Sequence, residues 1–170
     1  MYTFESYQLG EDNDLVQIST SGEQHAAACT MSRQSKREIS IISRELDPLV
    51  YDVPEFIESV KKMVLAHRRS RLRIIVFEPR LIVSRGHLLL DFAENLPSFI
   101  EFRTPGKDYK HFNESLFVAD NTAYIYRNNA DRFDGTLSFN DRQKAKVFMD
   151  VFEEMWNRST PDPNLRRMIL

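Results

Sequence analysis

Apolar residues recur along the chain at two spacings, one typical of strands and the other typical of helices. Apolar stretches predict strands at residues 39–42, 72–77, 99–102, 116–119 and 123–126. The last two are separated only by Asp120 and the short Asn121-Thr122 turn, which predicts a hairpin. The polar residues 128–139 then predict a loop with a turn at Gly135 and room for another short strand.

Helical patterns occupy most of the remaining sequence. They predict helices over residues 23–37, 52–67, 84–96 and 140–156. The second and the fourth begin with residue pairs at capping-box spacing, which are Asp52 with Glu55 and Asn140 with Gln143. Residues 1–20 are polar and aperiodic, which predicts a loose arm or an edge element.

Strands that alternate with helices of this length predict an α/β fold, with a mixed or largely parallel sheet flanked by helices on both faces. We predict three segments: an N-terminal arm with a short helix over residues 1–37, an α/β domain over residues 38–159, and a C-terminal tail over residues 160–170. The tail ends in apolar residues, Met168-Ile-Leu170, and we expect these to be covered by the chain's own core or by a protein partner.

Composition narrows the classes of function. The chain has 170 residues, 42% of them hydrophobic, which is enough for one domain with a substantial core. A net charge of −2 and a pI near 6.1 give no overall attraction to nucleic acid or to an anionic membrane. The single cysteine, Cys29, excludes an intrachain disulfide and fits a reducing compartment. With no visible secretory signal and no apolar run long enough to span a bilayer, we expect a cytoplasmic protein.

The most informative motif spans residues 113–120 and includes the predicted strand at residues 116–119. Asn113, Ser115 and Asp120 stand at positions that resemble the His-x-Lys-x4-Asp motif of the phospholipase D-like superfamily. The order of elements from residue 39 to residue 159 also resembles one half of that fold. In active members the His attacks phosphorus and the Lys supplies positive charge. The Asn113 amide does not attack phosphorus, and Ser115 carries no charge. Of the three positions, only Asp120 therefore matches the motif.

The resemblance implies a non-catalytic domain with a binding or regulatory role. Active members bring two such motifs together, and this chain has one, which implies either a homodimer, which we expect, or a half-fold that has another use. We expect the ligand to be a protein partner or a small anion, and we expect no cofactor. A residual polar pocket would consist of Asn113, Ser115 and Asp120 with His111, and residues 111, 113 and 115 would share one face of an extended segment. The favoured alternative is that Asp120 begins the hairpin turn with Asn121 and that Asn113 and Ser115 are ordinary strand-edge residues.

Two other groups of residues are candidates for binding. Arg85 and His87 lie at a predicted helix start, where free N–H groups favour anions. A solvated helix terminus is the preferred explanation, because the segment lacks the Gly-rich signature of such anion sites. A dense basic cluster near the end of the second helix comprises His67, Arg68, Arg69, Arg71 and Arg73. It lacks interleaved aromatic residues, so a solvated helix end explains it better than nucleic acid does.

Two alternatives to a non-catalytic module stay open. One is an enzyme with a re-purposed site around His111, Asp120 and His87. The other is a weak nucleic-acid-binding module that uses the basic cluster at residues 67–73, although a nucleic-acid partner is not expected from the charge. His25 and Cys29 have the i to i+4 spacing of two metal ligands, but nothing in the sequence completes a tetrahedral site, and we predict no metal.

Overall fold

A computed structural model of the chain describes residues 3–162 and Leu165. The helices are α1 (Ser21–Gln34), α2 (Pro48–Tyr51), α3 (Pro54–Ala66), α4 (Pro79–Arg85), α5 (Leu88–Ala93) and α6 (Arg142–Asn157). The strands are β1 (Val16–Ile18), β2 (Glu38–Ser43), β3 (Arg71–Val76), β4 (Ile100–Thr104), β5 (Ser115–Ala119), β6 (Ala123–Arg127), β7 (Gly135–Ser138) and β8 (Thr160–Pro161). A short 3-10 turn covers Lys107–Tyr109.

The described strands form one mixed sheet in the order β1-β7-β6-β5-β2-β3-β4-β8. Strands β2, β3 and β4 are parallel, whereas β5 runs antiparallel to β2 and continues into the antiparallel pairs β5–β6 and β6–β7. Helices cover both faces of the sheet, so the predicted fold class is confirmed. One consequence matters for function: the carboxyl ends of β2 and β3 lie at the same edge as the start of β5 and the end of β6.

Alternation of side chains divides the sheet between two cores. Ile39 and Ile41 of β2 face α1 and α3, while Ile42 faces α6. Phe117 of β5 belongs to the first core and its neighbour Leu116 to the second. Because the central strands are covered on both sides, their apolar runs are nearly continuous, which is why the sequence pattern predicts them well.

Three helix starts differ from the prediction. Asp52 does not cap α3, whose N-cap is Val53, and its carboxylate instead accepts a hydrogen bond from the Leu88 N–H. The cap of α6 is Asp141, one residue after the predicted Asn140. The helix predicted over residues 84–96 is shortened to α5, and it is preceded by α4, which was not predicted. Gly86 separates the two, because its φ of +76° is a conformation that ends a helix.

The N-terminal residues contribute to the same sheet and core. β1 pairs with β7 at one edge of the sheet, which is the edge element expected for residues 1–20. Phe4 is fully buried, and α1 packs against α3. The domain boundaries at residues 37 and 159 stay predictions. Met168-Ile-Leu170 lies outside the described residues. Within the described ranges, no helix is both long enough and apolar enough to cross a membrane.

Candidate functional site

A buried polar cluster lies at the carboxyl end of the central strand β2. Ser43 ends β2, Ser115 begins β5, and Arg127 ends β6. Ser115 and Arg127 are directly opposite each other in the β5–β6 ladder, so their side chains share one face of the sheet. All three residues are almost completely buried. The position that resembles the catalytic lysine is therefore a buried serine beside a buried arginine.

Arg127 is the centre of this cluster. Its side chain is 1% exposed and donates hydrogen bonds to the Asp47 carboxylate at 2.9 Å and to Gln24 Oε1 of α1 at 3.0 Å. It also donates to the carbonyl oxygens of Ala130 and Arg132, at 2.6 and 2.7 Å. A buried arginine needs such partners, since an unpaired buried charge is costly. The positive charge of Arg127 is therefore balanced within the domain by the Asp47 carboxylate.

A buried tyrosine lies close to this cluster. Tyr51 of α2 is fully buried. Burial raises the pKa of its hydroxyl above the ordinary value, and the Asp47 carboxylate raises it further, while Arg127 acts in the opposite direction. The hydroxyl therefore stays neutral at physiological pH and supplies no charge to the site.

The loop between β6 and β7, residues 128–134, is held in place by Arg127 and by Asn113. The Asn113 carbonyl accepts a hydrogen bond from the Ala130 N–H at 2.8 Å, and its side-chain amide donates to Asn129 Oδ1 at 3.2 Å. Gly135 begins β7 directly after the loop. An added Cβ there would clash with the Tyr126 carbonyl oxygen and lie 2.8 Å from Arg127 Cγ, so a side chain would force both the β6 backbone and the arginine to shift. The position that resembles the nucleophilic histidine thus has a structural role as a loop anchor.

This loop forms one side of a cleft of about 490 Å³ at the carboxyl ends of β2 and β3. The segment after β2 forms the middle, and the start of α4 forms the other side. The lining residues are Arg44, Glu45, Asp47, Pro48, Leu49, Glu78, Leu81, Ala130, Asp131 and Phe133. Open α/β sheets bind ligands at this edge, where strand direction and connection change. We take this cleft as the candidate site.

The cleft is acidic. Its lining has one arginine and four carboxylates. Asp47 pairs with Arg127, and Glu45 lies 3.6 Å from Arg85, whereas Glu78 and Asp131 form no ion pair with any residue that the structure describes. The guanidinium of Arg44 donates to the Phe112 carbonyl and lies over the Phe77 ring, 5.4 Å from its centroid. A phosphodiester would meet more negative charge than positive charge here.

Asp120 is not part of this cleft. It follows β5, about 16 Å along the strand from Ser115. Its carboxylate accepts hydrogen bonds from the Ser35 hydroxyl and from the backbone N–H groups of residues 36, 37 and 38, at 2.7–3.0 Å. Asp120 and Asn121 both have φ +54°, as a type I′ hairpin turn requires. The residues of the pocket predicted from the motif are therefore divided between the two opposite ends of β5.

The histidines predicted for a re-purposed site are also apart. His111 is exposed in a turn before β5, so it does not share an extended face with Asn113 and Ser115 as predicted. His87 is buried, its Nε2 donates to the Leu46 carbonyl at 3.0 Å, and its Nδ1 accepts from the Leu89 N–H. Burial lowers the pKa of His87, so it is neutral. The structure does not bring His111, Asp120 and His87 together.

The predicted anion site at Arg85 and His87 is occupied from within the chain. Arg85 lies near Glu45 and donates to its carbonyl at 3.2 Å. The first free N–H groups of α5 are bound by the Asp52 carboxylate and by the His87 ring. The place that an anion would take at this short helix holds the protein's own carboxylate.

The basic cluster is split by the fold. Arg68 and Arg69 are exposed in the turn before β3. Arg71 pairs with Glu38 at 2.9 Å. Arg73 is buried, pairs with Glu153, and lies against the rings of Phe152 and Trp156. Only two of the four predicted arginines are therefore free to contact a ligand.

His25 and Cys29 contact each other, with Sγ 3.6 Å from Nε2. His25 Nδ1 lies 2.8 Å from the Val50 carbonyl, to which it donates. Burial raises the pKa of the Cys29 thiol to about 11, which disfavours the thiolate that a metal would need. No group of three or more His, Cys, Asp or Glu side chains suited to a metal occurs among the described residues.

Comparison with known sequence families places most of the chain in one family. Residues 20–168 match DUF7931, a domain of unknown function. The chain belongs to the DUF7931 family. No curated protein matches this DUF7931 domain in sequence.

Solved structures establish the fold of the DUF7931 domain. Nuc from Salmonella typhimurium, a phospholipase D family member, matches with a TM-score of 0.59 at 16% identity over 88% of this chain and 99% of Nuc. NucT from Helicobacter pylori matches with a TM-score of 0.60 at 11% identity, over 88% of this chain and 99% of NucT. TrmBL2, an archaeal chromatin protein whose structure shows a novel mode of DNA binding, matches with a TM-score of 0.64 at 12% identity. That match covers 87% of this chain and 53% of TrmBL2, so the domain spans about half of its length. The fold is phospholipase D-like.

Sequence reasoning missed the two residues that organise the DUF7931 cleft, Arg127 and Asp47. They are 80 residues apart in the chain and meet only in the folded domain. A usable signal exists for one of them: Arg127 ends a strongly apolar strand, where a buried charge predicts a distant carboxylate partner.

Proposed function

We propose that this domain is a non-catalytic phospholipase D-like binding module whose ligand site is the acidic cleft beside β2. The observation that carries the proposal is the use of the motif positions for structure. Asn113 anchors the loop at residues 128–134, and Ser115 is buried opposite Arg127. Asn113 lacks the imidazole that attacks phosphorus in active members, and Ser115 lacks the positive charge of the lysine.

The charge of the cleft supports the same proposal. A phosphoryl-transfer site needs cations aimed at the phosphoryl oxygens. Here the nearest buried cation, Arg127, is already bound by Asp47 and by two carbonyl groups. The lining then presents the unpaired carboxylates of Glu78 and Asp131. A small anion, which was the alternative ligand class, fits this lining poorly.

The test is a phosphodiesterase assay on the purified chain with bis(p-nitrophenyl) phosphate, single-stranded DNA and phosphatidylglycerol vesicles. We expect no turnover above the buffer rate. The proposal fails if hydrolysis is detected and disappears in Asn113→Ala. Loss of activity in that variant, with folding checked by circular dichroism, would separate a real active site from a contaminating enzyme.

Self-association is a second part of the proposal. It rests on the resemblance to a superfamily whose active members pair two motifs, whereas this chain has one such motif. Native mass spectrometry should give a dimer. A monomer across the accessible concentration range would contradict this part of the proposal.

Nucleic-acid binding is the second candidate function. It is favoured by the fold shared with the DNA-binding chromatin protein TrmBL2 and by the exposed Arg68 and Arg69. This candidate predicts an affinity for DNA that falls steeply with salt and is lost in Arg68→Glu/Arg69→Glu. Undetectable binding at low salt would exclude it.

A further inference from the structure

The cleft combines features that suit one class of ligand. Glu78 lies at the β3–α4 junction, and Asp131 lies in the loop after β6. Because β3 and β6 lie on opposite sides of β2 in the sheet, these two carboxylates flank the cleft from both sides. Both residues are exposed, and neither has an ion-pair partner in the described part of the chain. A ligand that spans the cleft would therefore meet two separate acceptors.

Apolar groups lie beside these acceptors. Leu49 and Leu81 are exposed and line the same cleft together with Pro48. Phe133 adds an aromatic wall, and its ring is held in place by the Arg127 guanidinium, 4.5 Å from the ring centroid. The cleft thus pairs aliphatic contact surface with negative charge, which is the complement of a lysine or arginine side chain and its aliphatic stem.

The one cation in the lining does not reverse this pattern. Arg44 is tied to the Phe112 carbonyl at 3.0 Å and lies against the Phe77 ring. It balances one of the four lining carboxylates at most. Three arginines beside the lining residues already have carboxylate partners: Arg85 pairs with Glu45, Arg127 with Asp47, and Arg132 with Asp134.

We propose that the cleft binds a basic, aliphatic-rich segment of a partner protein, with lysine or arginine side chains held between Glu78 and Asp131 and their neighbouring apolar side chains on Leu49 and Leu81. This inference rests on the proposed function, because it names the ligand class of that same cleft. The charged contacts between this segment and the cleft are exposed to solvent, so the affinity falls when salt is added.

The test uses an acetylated, amidated peptide of alternating lysine and leucine residues, observed by nitrogen–proton NMR spectra of the labelled domain. Shifts should concentrate on residues that line the cleft. A glutamate–leucine peptide and inorganic phosphate serve as probes of the opposite charge. If either produces the cleft shifts while the lysine peptide does not, the ligand class is overturned but the binding module is retained.

Matched variants separate specific binding from general attraction to an acidic protein. Glu78→Gln/Asp131→Asn removes the two unpaired carboxylates, and Glu5→Gln/Glu94→Gln removes two exposed carboxylates elsewhere. All four positions are exposed, so both variants should fold. We expect the cleft variant to weaken binding of the lysine peptide about tenfold and the control variant by less than about twofold. Equal losses, or peptide shifts away from the cleft, would overturn the inference. Phosphodiesterase activity would instead overturn the proposed function itself.

Discussion

Replacing Arg127 with methionine should strongly destabilise the domain. The substitution keeps much of the side-chain volume but removes a guanidinium that is 1% exposed and makes four hydrogen bonds. Asp47, itself only 14% exposed, would keep its charge and lose its cation. Removing one partner of a buried pair costs about 3–5 kcal/mol, because the remaining charge is uncompensated. Domains are typically stable by about 5–15 kcal/mol, so the loss is a large fraction of the total.

The assay is urea unfolding followed by fluorescence of Trp156, the one tryptophan of the chain, which is 6% exposed. The free energy of unfolding follows from linear extrapolation. For a domain of this size the expected loss corresponds to a melting temperature lower by about 6–20 °C. Arg132→Met is the matched control, since Arg132 is 70% exposed and pairs with Asp134 at the surface. It should cost less than about 1 kcal/mol.

A double-mutant cycle isolates the pair itself. Asp47→Asn removes the carboxylate charge, so the combination with Arg127→Met should cost clearly less than the sum of the two single changes. Strict additivity, or a loss in Arg127→Met no larger than in Arg132→Met, would refute the reasoning that a buried ion pair holds the two sides of the cleft together.

Three further predictions follow from single side chains. Asp120→Ala should lower the free energy of unfolding, measured in urea, by about 2–3 kcal/mol. Asp120→Asn should lower it less, because Oδ1 keeps three of the four hydrogen bonds. Equal losses in the two variants would contradict the structural role of Asp120. The hydrogen bond from Arg73 lowers the pKa of Glu153, so their pair stabilises the fold above the ordinary carboxyl pKa of 4.5 and ceases to do so as the pH falls through the lowered value. Glu153→Gln should therefore reduce stability by about 1 kcal/mol at neutral pH, since Glu153 is 42% exposed, and the difference from wild type should disappear in acid; a difference independent of pH would contradict it. Cys29 is buried with a pKa raised to about 11, so it should not react with Ellman's reagent at mildly alkaline pH until the chain unfolds, and rapid reaction of the native protein would show the thiol to be accessible.

The sequence predicts the central sheet well for a physical reason. β2, β3 and β5 are covered by helices on both faces, so burial leaves a nearly continuous apolar signal in the chain. α6 is equally clear because Phe148, Phe152 and Trp156 recur on one side of it. Short elements are harder to predict: β1 has three residues, and α4 and α5 are separated by a glycine whose positive φ no apolar period reveals.

The cleft could be predicted only in part. Asn113 and Ser115 mark its location through the motif, but the motif does not indicate the charge of the cleft. That charge comes from residues of three segments, with Glu78 after β3, Asp47 after β2 and Asp131 after β6. These segments meet only because β5 and β2 place their ends at one edge of the sheet. Capping pairs also misled the prediction, because Asp52 binds a neighbouring helix rather than its own.

The fate of the three motif positions is informative about what the fold itself requires. The residue that matches the family motif, Asp120, is the one that binds backbone N–H groups and the Ser35 hydroxyl at the far edge of the sheet, so the fold needs it whether or not a reaction occurs. The two residues that depart from the motif lie at the edge where chemistry would take place. There, a lysine at position 115 would face the buried Arg127 across the β5–β6 ladder, and two buried cations side by side are strongly unfavourable. A serine at position 115 avoids this repulsion, so the pair of Ser115 and Arg127 is compatible with the binding role that we propose for the acidic cleft.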